Sequence, residues 1–245
     1  MANGHIDRAD DDIVDRREIA QMAVEATSSG LSEGQAGTYA PEQSLPVACL
    51  LSMSGGFLDA FTWLSLGGVF ANSQTGNVVF LGLYAASGQW HQAAHHFPPI
   101  LAFLAGASAA TFIRAPLLCL VGEIACLALV TLLLHRFAEP LPIVAISFGV
   151  ALQTASFRQV ERWKYLSVTV TGNMLRAIDQ LAPAPDREAL HGARTMLAIC
   201  LMFLLGATVG GLVTTRLGAS GLAVPIGLLA SVLWFCCRYR GRRQS

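Results

Sequence analysis

Few residues in this chain have types and spacing suited to chemistry, and one group of them occurs twice. Thr75-Gly76-Asn77 lies in FANSQTGNVVFLGL, and Thr171-Gly172-Asn173 lies in LSVTVTGNMLRAI. Thr, Gly and Asn are poor helix-interior residues and good helix starters, because a side-chain oxygen or a bare backbone serves the free N–H groups of a first turn. Those N–H groups and the positive dipole end attract anionic or electron-rich groups. Gln74, Thr75, Gly76, Asn77, Thr171, Gly172 and Asn173 are therefore candidates to line a solute or ion pathway. The competing reading is that they only cap and pack two interfacial helices. That reading has more force for the second copy. There Met174, Leu175, Ile178 and Leu181 make an apolar face opposite Arg176, Asp179 and Gln180, which suits a helix lying at a membrane surface.

Two acids fall inside apolar segments, where an ionisable group is costly and is a functional candidate. Asp59 stands beside Gly55-Gly56 and is a candidate for protonation or cation coupling, or else a cap on nearby backbone groups. Its approximate partner in the second half is Gln153 or Thr154, polar but not ionisable. Glu123 is a candidate second protonation site or a partner for Arg114 or Arg158. Arg158 and Arg162 read first as topology anchors and second as contacts for an anionic solute. His91-x-x-x-His95-His96 has the i, i+4 spacing of a metal pair, but no nearby Cys, Asp or Glu completes a set. These histidines are expected to be exposed. The six cysteines lie in apolar segments and read as small packing residues without disulfides. Neither a P-loop nor a GxSxG elbow is present. No metal, cofactor or catalytic residue is expected, and the chain is not expected to be an enzyme.

The elements that must position these residues are apolar helices. Of 245 residues, 53% are hydrophobic and 13% charged, against about 25% charged in soluble proteins. Sixteen basic and sixteen acidic residues cancel, so nothing points to nucleic acid. A spanning helix needs about 20 mostly apolar residues. Six candidates emerge: Leu45 to Leu64, Phe97 to Ile113, Pro116 to Leu134, Leu141 to Phe157, His191 to Thr214, and Leu222 to Cys237. Residues 1–43 carry DRADDDIVDRRE and no apolar run. They read as a disordered cytoplasmic tail without a signal peptide, with one short helix near Ile19–Ala26. Residues 44–237 read as the transmembrane domain and 238–245 as a basic cytoplasmic tail. With both termini inside, fourteen Lys and Arg fall on the inner side and only Arg136 and Arg216 on the outer, as the positive-inside rule requires.

The chain repeats. Phe103-Leu104-x-Gly106-Ala107 returns as Phe203-Leu204-x-Gly206-Ala207, 100 residues on, and the TGN copies are 96 apart. GGFLDAFTW in the first half has GVALQTASF as its counterpart in the second. Each unit holds three spans, repeat one over about 45–134 and repeat two over about 140–237. An odd number inverts the second copy in the membrane. The fold expected is all-α, with six transmembrane helices as two inverted three-helix repeats, each with a short re-entrant or interfacial helix starting at TGN. The glycines read as helix-packing residues, and Gly206-x-x-x-Gly210 could serve within the fold or between protomers of a homo-oligomer.

GGFLDAFTWLSLGGVFANSQTGNVVFLGL, with a Gln-bearing helix and a second TGN downstream, resembles the YoaK-like family of uncharacterised bacterial multi-pass inner-membrane proteins. Gly56-Phe57-Leu58-Asp59 and Gln74-Thr75-Gly76-Asn77 match its first-half motif. In the second half Thr154 follows Gln153 where the family commonly has Asn. The resemblance covers about residues 45–237. It implies a multi-pass protein of the bacterial inner membrane and no activity. The function expected is a secondary transporter or channel for a small solute, in its finer form anionic and proton-coupled. The alternatives are a membrane-embedded scaffold or sensor and a lipid-modifying enzyme. The expected partners are the lipid bilayer and the solute.

Overall fold

Proline opens many of the helices, because its missing N–H costs nothing in a first turn. The computed structural model describes residues 39–136, 140–182 and 185–244. The short helix expected near Ile19–Ala26 lies outside the described residues. Helix α1 runs over Leu45–Ser65 with Pro46 in its first turn, and α2 over Gln74–Ala86. A short α3 (Trp90–His95) leads into α4 (Phe97–Ile113), which opens on Pro98-Pro99. Then come α5 (Pro116–Leu133) and α6 (Leu141–Ser156). A small antiparallel hairpin follows, β1 (Gln159–Val160) against β2 (Trp163–Lys164). Last are α7 (Val170–Leu181), α8 (Arg187–Leu217) and α9 (Ala223–Gln244). Both TGN tripeptides sit in the first turn of a helix, α2 and α7.

Each of the six apolar segments is a helix. Among the described residues, four stretches are long and apolar enough to cross a membrane: Leu45–Ser65, Trp90–Ile113, Pro116–Leu133, and Arg187–Arg240, which contains both α8 and α9. Leu141–Ser156 is apolar but shorter. Two boundaries move. Helix α8 starts at Arg187, four residues before His191, because the Asp186 side chain accepts a hydrogen bond from Ala189 N at 2.7 Å and caps it there. Helix α9 passes Cys237 and continues to Gln244, so residues 238–244 extend the last helix. Arg238 lies over the Trp234 ring at 5.1 Å and Arg240 pairs with Glu42. The described chain is predominantly helical, as expected, with one small hairpin at 159–164 that the sequence reading did not include. Its strands are two residues each, too short for a period-2 pattern to show, and its turn holds Glu161 at φ 50°.

Contacts divide the chain after Ala40, and everything here concerns the unit from Pro41 onward. Its core joins Leu51, Phe57 and Phe61 of α1 to Leu120 and Leu127 of α5, Ile146 and Val150 of α6, and Leu229 and Val232 of α9. The packing partners form matching pairs. Helix α1 lies chiefly on α8, and α6 chiefly on α4; α5 packs on α6 as α9 packs on α1. The two FLxGA motifs make the closest approaches. A Cβ added to Gly206 would stand 2.7 Å from the carbonyl carbon of Met53 in α1, and one added to Gly106 would stand 3.1 Å from that of Phe148 in α6. Small residues permit such backbone contact, which drives helix association where lipid removes the hydrophobic term. Gly210 likewise faces Phe57, so the Gly206-x-x-x-Gly210 stripe is used inside the fold.

Candidate functional site

The segment between α1 and α2 folds back along α1 and is held by that helix's polar groups. Ala71 N donates to Thr62 Oγ1 at 3.2 Å, and Asn72 N donates to Asp59 Oδ1 at 2.7 Å. Ser73 Oγ donates to Asp59 Oδ2 at 2.5 Å, and Asn72 Nδ2 donates to Gly55 O at 2.9 Å. Gly55 is ten residues from either end of α1, so α2 begins beside the middle of that helix, about 15 Å along the axis from its end at 1.5 Å per residue. Asp59 is thus the anchor of the first TGN helix. Its carboxylate is buried, 5% exposed, and it supplies negative charge at the helix start, where the dipole favours it.

The second TGN helix reaches the same depth. Gln153 Nε2 donates to Ser167 Oγ at 3.0 Å, and Cys200 Sγ, midway along α8, lies 3.6 Å from Val170 O. A Cβ built on Gly55 would meet Val168 Cγ1 at 3.1 Å and Asn72 Nδ2 at 3.8 Å. Both segments that precede the TGN helices therefore meet at the centre of α1. Where the first half uses a carboxylate to hold this segment, the second uses a neutral amide.

The two asparagines do the same job in each copy. Asn77 Oδ1 accepts from Phe70 N at 3.0 Å while its Nδ2 donates to Phe70 O at 2.7 Å and to Gln74 Oε1 at 2.9 Å. Asn173 Oδ1 lies 3.4 Å from Leu166 N while its Nδ2 donates to Leu166 O at 2.8 Å. Each amide clasps the backbone seven residues earlier, and both are fully buried. They set the approach to the helix and face away from any solute. The glycines beside them make room. A Cβ on Gly76 would strike the Phe70 ring at 2.8 Å, and one on Gly172 would meet Thr169 Cγ2 at 3.1 Å.

The two helix starts open onto one cavity of about 600 Å³. Gln74 and Thr75 of α2 line it with Asn72 and Ser73 just before them, and Val170 and Thr171 of α7 line it with Thr169 just before them. Thr154, Ala155 and Arg158 contribute from the end of α6 and just beyond it; Phe103 and Ala107 of α4, with Leu166 and Val168, complete the wall. Two buried polar atoms of lining residues have no hydrogen-bond partner, Asn72 Oδ1 and Thr154 Oγ1. Their residues are 4% and 5% exposed. Orphaned buried polar groups are rare, and both of these atoms are enclosed by protein behind the cavity surface. Among the described residues that line the cavity, Arg158 is the one charged group.

Of the residues singled out from sequence, Gln74, Thr75 and Thr171 line this cavity. Asp59, Asn77, Gly76, Gln153, Gly172 and Asn173 stand behind its wall. Glu123 lies elsewhere. It is buried in α5 against Gly149 of α6, with Oε2 unpartnered, and among the described residues no ion pair joins it to Arg114 or Arg158. The expectation of exposed histidines holds for His91 and is corrected for His96, with His95 half-buried. His96 is 3% exposed and stacks on Phe80 and Tyr84, and His95 Nε2 lies 3.0 Å from Leu66 O. The turn of α3 tucks them under α2, an arrangement that spacing alone does not show. All six cysteines are free, and among the described residues no group of three metal-ligating side chains converges. Sequence reasoning missed Asn72, Ser73 and Thr169 as cavity residues. The polar runs NSQTGN and TVTGN were the available signal.

A model of a family described as "Protein of unknown function (DUF1275)" matches residues 47–235. No curated protein and no solved structure matches the chain.

Proposed function

This chain belongs to the DUF1275 family of proteins of unknown function, and from its own site we propose that it is a membrane carrier or channel for a small anionic solute bound between the two TGN helices. The observation that carries this reading is the convergence of two helix N-termini and Arg158 on one cavity. Non-helical backbone at the depth of a membrane is tolerated where it lines a cavity, and paired half-helix starts build solute sites in inverted-repeat carriers. The inverted repeat is supported by three correspondences. Asn77 and Asn173 clasp equivalent backbone, Gly106 and Gly206 press on equivalent helices, and the packing pairs exchange between halves. On this reading α1, α4, α5, α6, α8 and α9 are six spans, α2 and α7 are re-entrant, and both termini are cytoplasmic in a bacterial inner membrane. The likeness to YoaK-like proteins rests on GGFLDAF and QTGN. Neither a metal, a cofactor nor catalysis enters this account.

Asp59 couples transport to protons. Protonation would remove one of the two acceptor oxygens that hold Asn72 and Ser73 and so loosen the start of α2. Protein reconstituted in sealed liposomes should speed uptake of a small anion over empty liposomes, and an imposed proton gradient should drive its accumulation. Asp59→Asn should insert and fold yet lose the gradient-driven part. Uptake equal to empty liposomes across carboxylates, phosphate, sulfate, polyols and amino acids would refute transport, and wild-type accumulation by the variant would refute the coupling role. Removal of residues 1–38 should leave uptake intact, which separates a carrier from a sensor that works through its tail.

A further inference from the structure

We infer that the solute is a small organic monoanion, a carboxylate on an apolar body, whose charge is bound at the α7 end of the cavity by Arg158 and the start of α7. This rests on the cavity being a solute site and adds the class of solute and its orientation.

Charge sets the valence. Each helix start offers about half a positive charge. At α2 that charge is already matched, because the Asp59 carboxylate accepts from Asn72 N and Ser73 Oγ. At α7 the corresponding position is Gln153, a neutral amide bonded to Ser167 Oγ, so the positive end of α7 is left uncompensated. Arg158 lines the cavity from the same side. Two half-helices of the same design therefore differ by one carboxylate, and the cavity is positive at one end only. Its charge suits one anionic group and not two. A guanidinium presents a fork that fits a carboxylate bidentately.

Shape and polarity set the body. About 600 Å³ is in the range of sites for organic molecules and many times the roughly 30 Å³ share of one water. An inorganic anion would leave most of it empty. The wall includes Phe103, Ala107, Leu166 and Val168, which offer an apolar body dispersion contacts and no charge.

The test is thermal stabilisation of the purified protein in detergent, at constant ionic strength, with benzoate, acetate, phosphate, sulfate and glycerol as probes. Benzoate should raise the unfolding temperature saturably and at lower concentration than acetate, while phosphate, sulfate and glycerol leave it unchanged. Arg158→Gln should weaken benzoate at least tenfold, with Arg158→Lys between it and wild type. Ala107→Leu should weaken benzoate more than acetate. Gln153→Glu would place a carboxylate behind α7 as Asp59 stands behind α2, and should weaken benzoate tenfold or more although residue 153 does not line the cavity. Arg158 is exposed, so its variants are expected to fold; Gln153→Glu and Ala107→Leu give an independent reading if they do not. Stabilisation by phosphate, sulfate or glycerol in place of benzoate overturns the inference alone, as does benzoate binding that neither Arg158→Gln nor Gln153→Glu changes. No response to any of the five probes overturns the solute site itself.

Discussion

Removing the Asn77 amide should damage the protein more than removing its twin, Asn173. In the first copy Asn77 makes three short hydrogen bonds, at 2.7, 2.9 and 3.0 Å, and His96 Nδ1 lies 3.4 Å from its Oδ1. Asn77→Ala leaves Phe70 N–H and C=O without partners. Each buried backbone group stripped of its partner costs about 1–3 kcal/mol. Phe70 is half-buried, so we expect a loss of about 2–4 kcal/mol in total. In the second copy only the bond from Asn173 Nδ2 to Leu166 O is short, at 2.8 Å; Leu166 N and Arg176 Nη1 each lie 3.4 Å from its Oδ1, beyond good hydrogen-bond length. Asn173→Ala should therefore cost about 1–2 kcal/mol. Unfolding equilibria in mixed micelles of rising denaturing-detergent fraction, followed by circular dichroism, would measure both. Asn77→Asp keeps the acceptor and loses the donor, so it should fall between wild type and Asn77→Ala. An Asn173→Ala cost equal to or above that of Asn77→Ala, or both below about 0.5 kcal/mol, would refute the view that these amides hold the helix starts in place.

Two further outcomes follow from the packing. Gly206→Leu and Gly106→Leu push a side chain into the backbone of Met53 and Phe148 respectively. Each should cost about 1–3 kcal/mol in the same unfolding assay, with Gly206→Leu the worse, and a neutral Gly206→Leu would contradict the α1–α8 contact. The pair Arg162–Glu188 is exposed on both sides, so Glu188→Ala should change stability by less than about 1 kcal/mol.

Much of this architecture is legible in the sequence because a membrane helix has a simple signal. Runs of apolar residues opened by Pro46, Pro98, Pro116 and Pro142 locate the helices, and charge placement orders them. The FLxGA pair and the TGN pair are the sequence signal for the proposed repeat, since close packing demands small residues at fixed places. Other features are tertiary and leave no local trace. Asn77 and Asn173 look like solute ligands because they sit in a helix start, yet their partners are backbone groups seven residues back, outside the helix, which no side-chain pattern announces. Aligning the stretch before each TGN at the 96-residue offset would have shown that Phe70 and Leu166 are equivalent. Arg158 reads as a topology anchor because it follows a span, and only the folding of α7 back toward α1 brings it to the cavity. The hairpin at 159–164 is too short to register, and burial of His96 depends on how α3 turns under α2.

The account turns on whether the starts of α2 and α7 share one water-filled cavity, and thiol labelling tests that directly. Cysteines would be introduced one at a time at Thr75, Thr171, Val78 and Ile178 in a Cys237→Ser background and reconstituted in liposomes. All four positions are exposed on the protein, so exposure alone does not separate them. A hydrophilic, thiolate-selective reagent should modify Thr75→Cys and Thr171→Cys, because they line the cavity, and should spare Val78→Cys and Ile178→Cys, which face lipid if α2 and α7 are re-entrant as proposed. The same concentration of benzoate should slow both reactive positions. Labelling of only one of the two, or equal labelling at all four, would contradict a shared cavity.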